Sequence, residues 1–394
     1  MKPLKLAVSL GSVAALSLAG PALAAQAAPH HSSPVIGHVY VNDNTTGTNT
    51  IGGFDRHADG SLTPESGSPY ATGGQGSGAG TASQGALQET PGDRFLVAVD
   101  AGSDQISVLR LDRAGVPHEV SSGTVSSHGS EPVSIAITPW GRADLVYVAN
   151  AGDPSNGYTG GNYTGFFLSR AGILHHISGS TVAVPDGSQL GDVLFNSTGT
   201  SLVGTRVATS LVDSFNVGRN ALLYPAPGSP YTAQGPGPLG SEFRPTNPQQ
   251  LFVSNAHGGQ NNGTISAFSV SRNGNLTSIG AGPYADNQTA PCWVEISHNG
   301  RYLFTTNTAV PSISRYSIAG DGTMTLLGST ALDPTTEKAP IDLRLSPGGH
   351  TLYVVDGGAA TISAFHVSGG SLTALPGAPV SVTGSVAPAG IVVN

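Results

Sequence analysis

Two stretches, "APCWVEISHNGRYLFTTNT" (Ala290 to Thr308) and "APIDLRLSPGGHTLYVVDG" (Ala339 to Gly357), follow one plan and set opposite charges, Glu295 and Arg344, at the same place in it. Each reads as a Pro, a strand, a Gly turn and a second strand ending in Asn or Asp. Successive strand residues point to opposite sides. One parity is apolar: Cys292, Val294 and Ile296 in the first copy, Ile341, Leu343 and Leu345 in the second. The other parity carries Trp293 and Glu295, Asp342 and Arg344, and, in related strands, Asp192, Glu242 and Gln88. Glu295 and Arg344 are expected to form an ion pair. The polar row either holds a wet interior together or offers some of its members, Asp192, Trp293, Asp342, Glu295, Arg344 or Glu242, to a ligand.

A second set of side chains stands where strands meet loops. Segments such as "VYVND", "LVAVD" and "VYVAN" end on Asn or Asp, which turn chemistry explains. "LVGTR" ends on Arg206 instead. A guanidinium fork suits a carboxylate or a developing oxyanion. His128 in "SSHGSEP" and His257 in "SNAHGGQ" are candidates for a general base. Arg206, His257 and His128 are therefore the catalytic candidates. Cys292, the only cysteine, reads as a small buried hydrophobe, and no internal disulfide is possible. "GGQGSGAG" (Gly73 to Gly80) matches a phosphate loop in composition only and is expected to be a flexible connection. His175 and His176 fall on an outer strand. There is no G-x-S-x-G elbow and no H-E-x-x-H. No metal and no cofactor is expected.

The elements that must carry these groups are short strands. The chain has 394 residues, 55 of them Gly and 28 Pro, too many for long helices. Seven hairpins recur, among them "ISVLRLDRAGVPHEV" from Ile106, "ISAFSVSRNGNLTSI" from Ile265 and "ISAFHVSGGSLTAL" from Ile362. Each follows a strand ending near Asn, Asp or Arg206, and that strand follows another, as in "PVSIAITPW", "GDVLFNSTG" or "CWVEISHNG". Four strands at a pitch of about 50 residues describe a propeller blade. The first unit lacks its leading strand, and "APAGIVVN" (Ala387 to Asn394) matches "APIDLRLS". The sequence therefore predicts an all-β, seven-bladed β-propeller over 35–394, closed by a C-terminal strand that completes the first blade.

The N-terminal segment has Lys2 and Lys5, then an apolar run from Leu6 to about Ala19, then "ALA" and "AQA". This reads as a secretory signal over 1–27 with a short linker over 28–34, so a protein secreted to the extracellular space or periplasm is expected. Net charge is -8 with no basic run, which gives no electrostatic reason to expect nucleic acid as a partner. No membrane association is expected after cleavage, and the chain is expected to be a monomer whose partner is a small molecule or carbohydrate.

"DAGSDQISVLRLD" from Asp100, "ISHNGRYLFTTN" from Ile296 and "SPGGHTLYVVDGGAATISAFHV" from Ser346 resemble the seven-bladed propeller lactonases, the family of 6-phosphogluconolactonases and carboxymuconate lactonizing enzymes. The resemblance runs from about Val35 to Asn394. It implies a site at the channel mouth, with a His before the second blade, an Arg after a Pro, a Glu at a strand end and a further Arg. Here those places read "SQGAL" at Ser83, Val133, Asn150 and Arg206, so Arg206 alone keeps the pattern. The resemblance implies hydrolysis or isomerisation of a lactone. The replaced positions favour the alternative, a noncatalytic propeller that binds a small molecule, polysaccharide or protein, whereas Arg206 and the polar channel favour the lactonase-like reading, which is the one expected.

Overall fold

The computed structural model describes residues 33–394; the expected signal segment and most of the expected linker lie outside them. Seven antiparallel sheets are present, each with a path of four strands. Six carry an extra two-residue strand beside the third strand. In the sixth blade the fourth strand is continuous, Met324–Ala331, with an irregularity in register between Arg315 and Tyr316. Elsewhere a Gly-bearing bend, which also holds Pro in blades 1, 4, 5 and 7, splits it. The only helices among the described residues are two three-residue 3-10 turns.

The inner strands of blades 1 to 7 are Ala389–Val393, Leu87–Glu89, Pro132–Trp140, Leu190–Phe195, Pro238–Arg244, Pro291–Ile296 and Pro340–Leu345. Blade 1 is built from both ends of the described chain. Ala389–Val393 pairs antiparallel with Val35–Asn42, placing Val392 opposite Tyr40 and Ile391 opposite Val41. Asn394 fastens the closure. Its backbone N–H donates to His38 O at 3.0 Å, its Oδ1 accepts from His38 N–H at 2.9 Å, and its O accepts from Arg56 Nε at 2.8 Å. A closed ring leaves only short inner edges, protected within the channel.

Neighbouring blades are joined by apolar faces and by a recurring tyrosine. Tyr40, Tyr147 and Tyr353 lie fully buried on second strands, three residues before the strand-end Asp or Asn. Their hydroxyls donate to carbonyls in the outer hairpin of the next blade: Gly115, Ala221 and Gly60. A buried phenol needs such a partner, so each tyrosine fixes the spacing between two blades as well as filling it.

The strand-end Asn and Asp side chains are not free turn formers. Asp100, Asn307 and Asp356 are fully buried and bond to hydroxyls on the third strand, Ser107, Ser314 and Ser363. Turn chemistry therefore accounts for only part of their identity. The rest is a cross-strand hydrogen bond inside each blade.

Candidate functional site

The pairing of inner with second strands sets the levels of the central channel. Ser134, Asp192, Gly240, Trp293 and Asp342 share an upper level, and Gln88, Leu194, Glu242, Glu295 and Arg344 stand two residues further along. Arg344 Nη1 lies 3.0 Å from Glu295 Oε2 and 3.9 Å from Glu242 Oε2. Glu295 Oε1 also accepts from the Leu345 backbone N–H at 3.1 Å. The expected ion pair is thus present, and it holds adjacent inner strands together. Glu242 and Arg344 keep 20% and 24% side-chain exposure, so both face the channel space rather than the sheets.

Burial governs the charge states here. Asp192 is pushed up to about 7 by burial, against the pull of hydrogen bonds from Ser241 and Ser134. Asp342 is raised to about 6 by burial, opposed by Arg344 and by the Gly85 and Leu343 N–H groups. Burial, and then Glu295, hold Glu242 well above the carboxylate range. Burial works against the Arg344 charge, but Glu295, Asp342 and Glu242 outweigh it and keep the guanidinium protonated. Desolvation raises carboxyls and nearby cations lower them.

The upper end of the channel is plugged. The connection from blade 1 to blade 2 carries Gln84 across the axis, where its Nε2 donates to Ser241 O at 3.2 Å and Val294 O at 3.1 Å, and its Oε1 accepts from Val294 N–H at 3.0 Å. The Gln84 backbone N–H donates to Gly191 O, and Gly85 O accepts from Ile135 N–H. Trp293 Nε1 donates to Ser83 O. Ser83 to Gly85 therefore touch blades 3 to 7. Two glycines permit this. A Cβ on Gly240 would collide with Gln84 Oε1, and Gly85 has φ +80°, which a side chain disfavours.

The same connection is not the flexible loop expected from its composition. Gly74 O, Gly76 N–H and Gly78 N–H bond to Asn49, Thr45 and Asn44 of blade 1, and Gln75 O accepts from Gly102 of blade 2. Glycines are there because the backbones approach closely: a Cβ on Gly76 would meet the Asn44 backbone. Gln84 is not among the candidates drawn from the sequence, and the strap reads there only as a flexible connection. The available signal was a polar residue between small residues just ahead of an inner strand.

Arg206 is committed to its own blade. Its Nε and Nη2 reach Asp213 Oδ2 and Oδ1 at 2.7 and 2.6 Å, and Tyr163 OH donates to Asp213 Oδ2 at 2.9 Å. Asp213 sits seven residues on, where Ser107, Ser314 and Ser363 serve other blades. Blade 4 thus exchanges an Asn or Asp bonded to a hydroxyl for an Arg bonded to a carboxylate. That exchange explains the departure of Arg206 from the pattern without a ligand. Asp213 was the sequence signal for it.

The two histidines are apart from Arg206: among the described residues no hydrogen bond or ion pair joins the three. His128 is exposed and stacks on His176 of blade 3 with ring centroids 4.0 Å apart. His257 is exposed on the loop after Asn247–Asn255 of blade 5, its ring lying over Gly237. The one group of three metal-ligating side chains among the described residues is His38, Asp55 and Glu65 of blade 1. It is internally satisfied: His38 Nδ1 meets Glu65 Oε1 at 2.7 Å and Tyr70 OH donates to Glu65 Oε2 at 2.8 Å.

Above the plug lies a cleft of about 490 Å3. Leu239, Cys292, Trp293, Ile341 and Pro388 form its floor and walls, and the strap residues Gly78 to Ala82 bound it on the other side. No Asp, Glu, Lys, Arg or His lines it. Burial pushes the Cys292 thiol up to about 11, and its Sγ is hydrogen-bonded to Ala290 O at 3.2 Å. Trp293 is therefore the one residue of the expected ligand set that lines this cleft. Asp192, Asp342, Glu242, Glu295 and Arg344 belong to the channel.

The family model described as "Lactonase, 7-bladed beta-propeller" matches residues 237–388. That span holds blades 5 to 7 and eleven of the fifteen residues lining the cleft. No curated protein matches the chain. Among solved structures, the periplasmic gluconolactonase of Pseudomonas aeruginosa is 15% identical, with a TM-score of 0.70 over 90% of this chain and 98% of its own. A Lactobacillus plantarum protein is 20% identical with a TM-score of 0.70 over 90% and 98%. A candidate 6-phosphogluconolactonase of Bacteroides fragilis is 19% identical with a TM-score of 0.69 over 93% and 99%. At these identities the likeness is one of fold. The chain is thus a seven-bladed β-propeller, similar over 237–388 to the lactonase propellers and similar in fold to the solved structures named.

Proposed function

We propose that the protein is a small-molecule-binding propeller whose site is the cleft at the channel mouth, and that it binds without hydrolysing. One observation carries this reading: the cleft has no ionisable side chain that works near neutral pH, because the charged groups lie beneath the Gln84 plug or, like Arg206, are paired. Lactone hydrolysis needs a group to activate water and donors for the oxyanion. The test is a lactone panel with purified protein at neutral pH. Saturable binding to one site without turnover is expected; turnover above the buffer rate contradicts it.

A second reading, lactone hydrolysis or isomerisation, draws support from the family match, which spans the cleft walls. In that reading His257, on the loop beside Pro236 and Gly237, is the side chain left to move a proton. Any turnover found should then vanish in His257→Ala. We also infer export, on the strength of Lys2, Lys5, the apolar run and the small residues after it. N-terminal sequencing of the mature protein should start near Ala25 or Ala28.

A further inference from the structure

The cleft's chemistry selects a class of occupant. Its wall is apolar: Leu239, Trp293, Ile341 and Pro388 are joined by Val386, which is 68% exposed at the rim. Val310, two residues beyond the lining residue Thr308, is 47% exposed. Exposed aliphatic side chains beside a concave apolar surface are the setting of a ligand site. At about 490 Å3 the cleft is also of the size that holds a small molecule.

A second observation is independent of the apolar surface. Thr81 lines the cleft, is only 7% exposed, and its Oγ1 is buried with no hydrogen-bond partner. An unpaired buried hydroxyl costs free energy that a polar atom brought beside it would recover. The other lining threonine, Thr308, is already committed, its Oγ1 donating to Pro340 O at 3.0 Å. A charged ligand has nothing to answer it here, since no lining side chain carries charge and Arg344 lies under the plug.

We propose that the mouth cleft binds a neutral, mainly apolar ring compound bearing one hydrogen-bonding group, which enters polar end first and meets the Thr81 hydroxyl once that side chain turns about Cα–Cβ to bring Oγ1 to the cleft. This rests on the reading of the cleft as the ligand site and adds the class of ligand. The hydroxyl both donates and accepts, so the polar group can be a hydroxyl, an amine or a carbonyl.

The probes are N-phenyl-1-naphthylamine and 1-anilinonaphthalene-8-sulfonate, used with the full mature chain. They share a ring system and an amine, and the second adds a sulfonate next to that amine. If the amine is what reaches Thr81, the sulfonate must be buried with it, at high cost. The chain has two tryptophans, so Trp140→Phe leaves Trp293 as the sole reporter of energy transfer to the probe. The neutral probe should bind once per chain, quench Trp293, and bind at least about tenfold more tightly than the sulfonate. Thr81→Val, which keeps the shape and removes the hydroxyl, should weaken it about two- to tenfold. Thr81→Ser should restore it. Val386→Asp, an exposed change that does not threaten folding, should also weaken it. Equal binding of the two probes, an unchanged affinity in Thr81→Val, or no binding of the neutral probe would overturn the proposal while leaving the noncatalytic reading in place. Lactone turnover competed by the neutral probe would end the noncatalytic reading and support this one.

Discussion

The channel and the mouth cleft share the same inner strands but divide their chemistry. The channel holds Asp192, Asp342, Glu242, Glu295 and Arg344, and Gln84 closes it from the cleft. The cleft is open and has no charged side chain. Charge on the axis of a propeller is therefore poor evidence for a ligand. A ring of inner strands brings seven chains of side groups together, and polar members survive burial only by pairing with one another or with backbone. Of the side chains lining the cleft, Thr81 has a buried oxygen without a partner.

Removing a part that both regions share should have the largest effect. Deleting Pro388 to Asn394 takes away the inner strand of blade 1 and, with Pro388, part of the cleft wall. The cooperative unfolding transition should be lost; an unchanged melting temperature would show that the closure is dispensable.

Arg206 tests whether a conspicuous cation is a ligand group or a partner. Arg206→Ala leaves Asp213, with 2% side-chain exposure, unpaired and should cost about 3–5 kcal/mol in denaturant unfolding. The double change Arg206→Asn with Asp213→Ser rebuilds the arrangement of the other blades and should recover most of that loss. Ligand affinity at the cleft should be the same in the double variant and the native chain. A loss of affinity there would return Arg206 to the site.

Gln84→Ala should cost less, about 2–3 kcal/mol, by stranding the buried Val294 N–H and the carbonyls of Ser241 and Val294. It should also join the channel to the cleft, so that a cationic probe, drawn by the channel carboxyl groups, gains affinity over the native chain. No gain would mean that Gln84 is not the barrier between the two regions.

A last effect is one of pH. Asp192 is raised to about 7 in the folded chain, so between its unfolded value of about 4 and 7 the folded state holds the extra proton. Stability should therefore fall as pH rises through that window, by at most about 1.4 kcal/mol per pH unit from this group, and level off above it. Asp43 and Glu89, also raised to about 7 by burial, act in the same direction. Asp192→Asn should make the slope shallower. A slope that is unchanged would mean that Asp192 is ionised throughout.

The fold was legible because its signals repeat. Seven hairpins and a displaced copy of one strand define blades and closure, and equivalent positions predicted the Glu295 to Arg344 pair. The site was less legible because its members belong to no repeat. Gln84 and Thr81 lie in a connection between blades, where nothing in the spacing says that a loop folds back over the axis. The pairing of Arg206 was not legible because its partner, Asp213, stands in place of a serine on the next strand, and the exchange shows only when both positions are read together.

The most direct measurement is a crystal of the mature protein grown with N-phenyl-1-naphthylamine. The account predicts the probe between Trp293, Ile341 and Thr81, with Gln84 still bonded to Ser241 and Val294. Probe below Gln84 against Glu242 and Arg344, or beside Arg206, would contradict it.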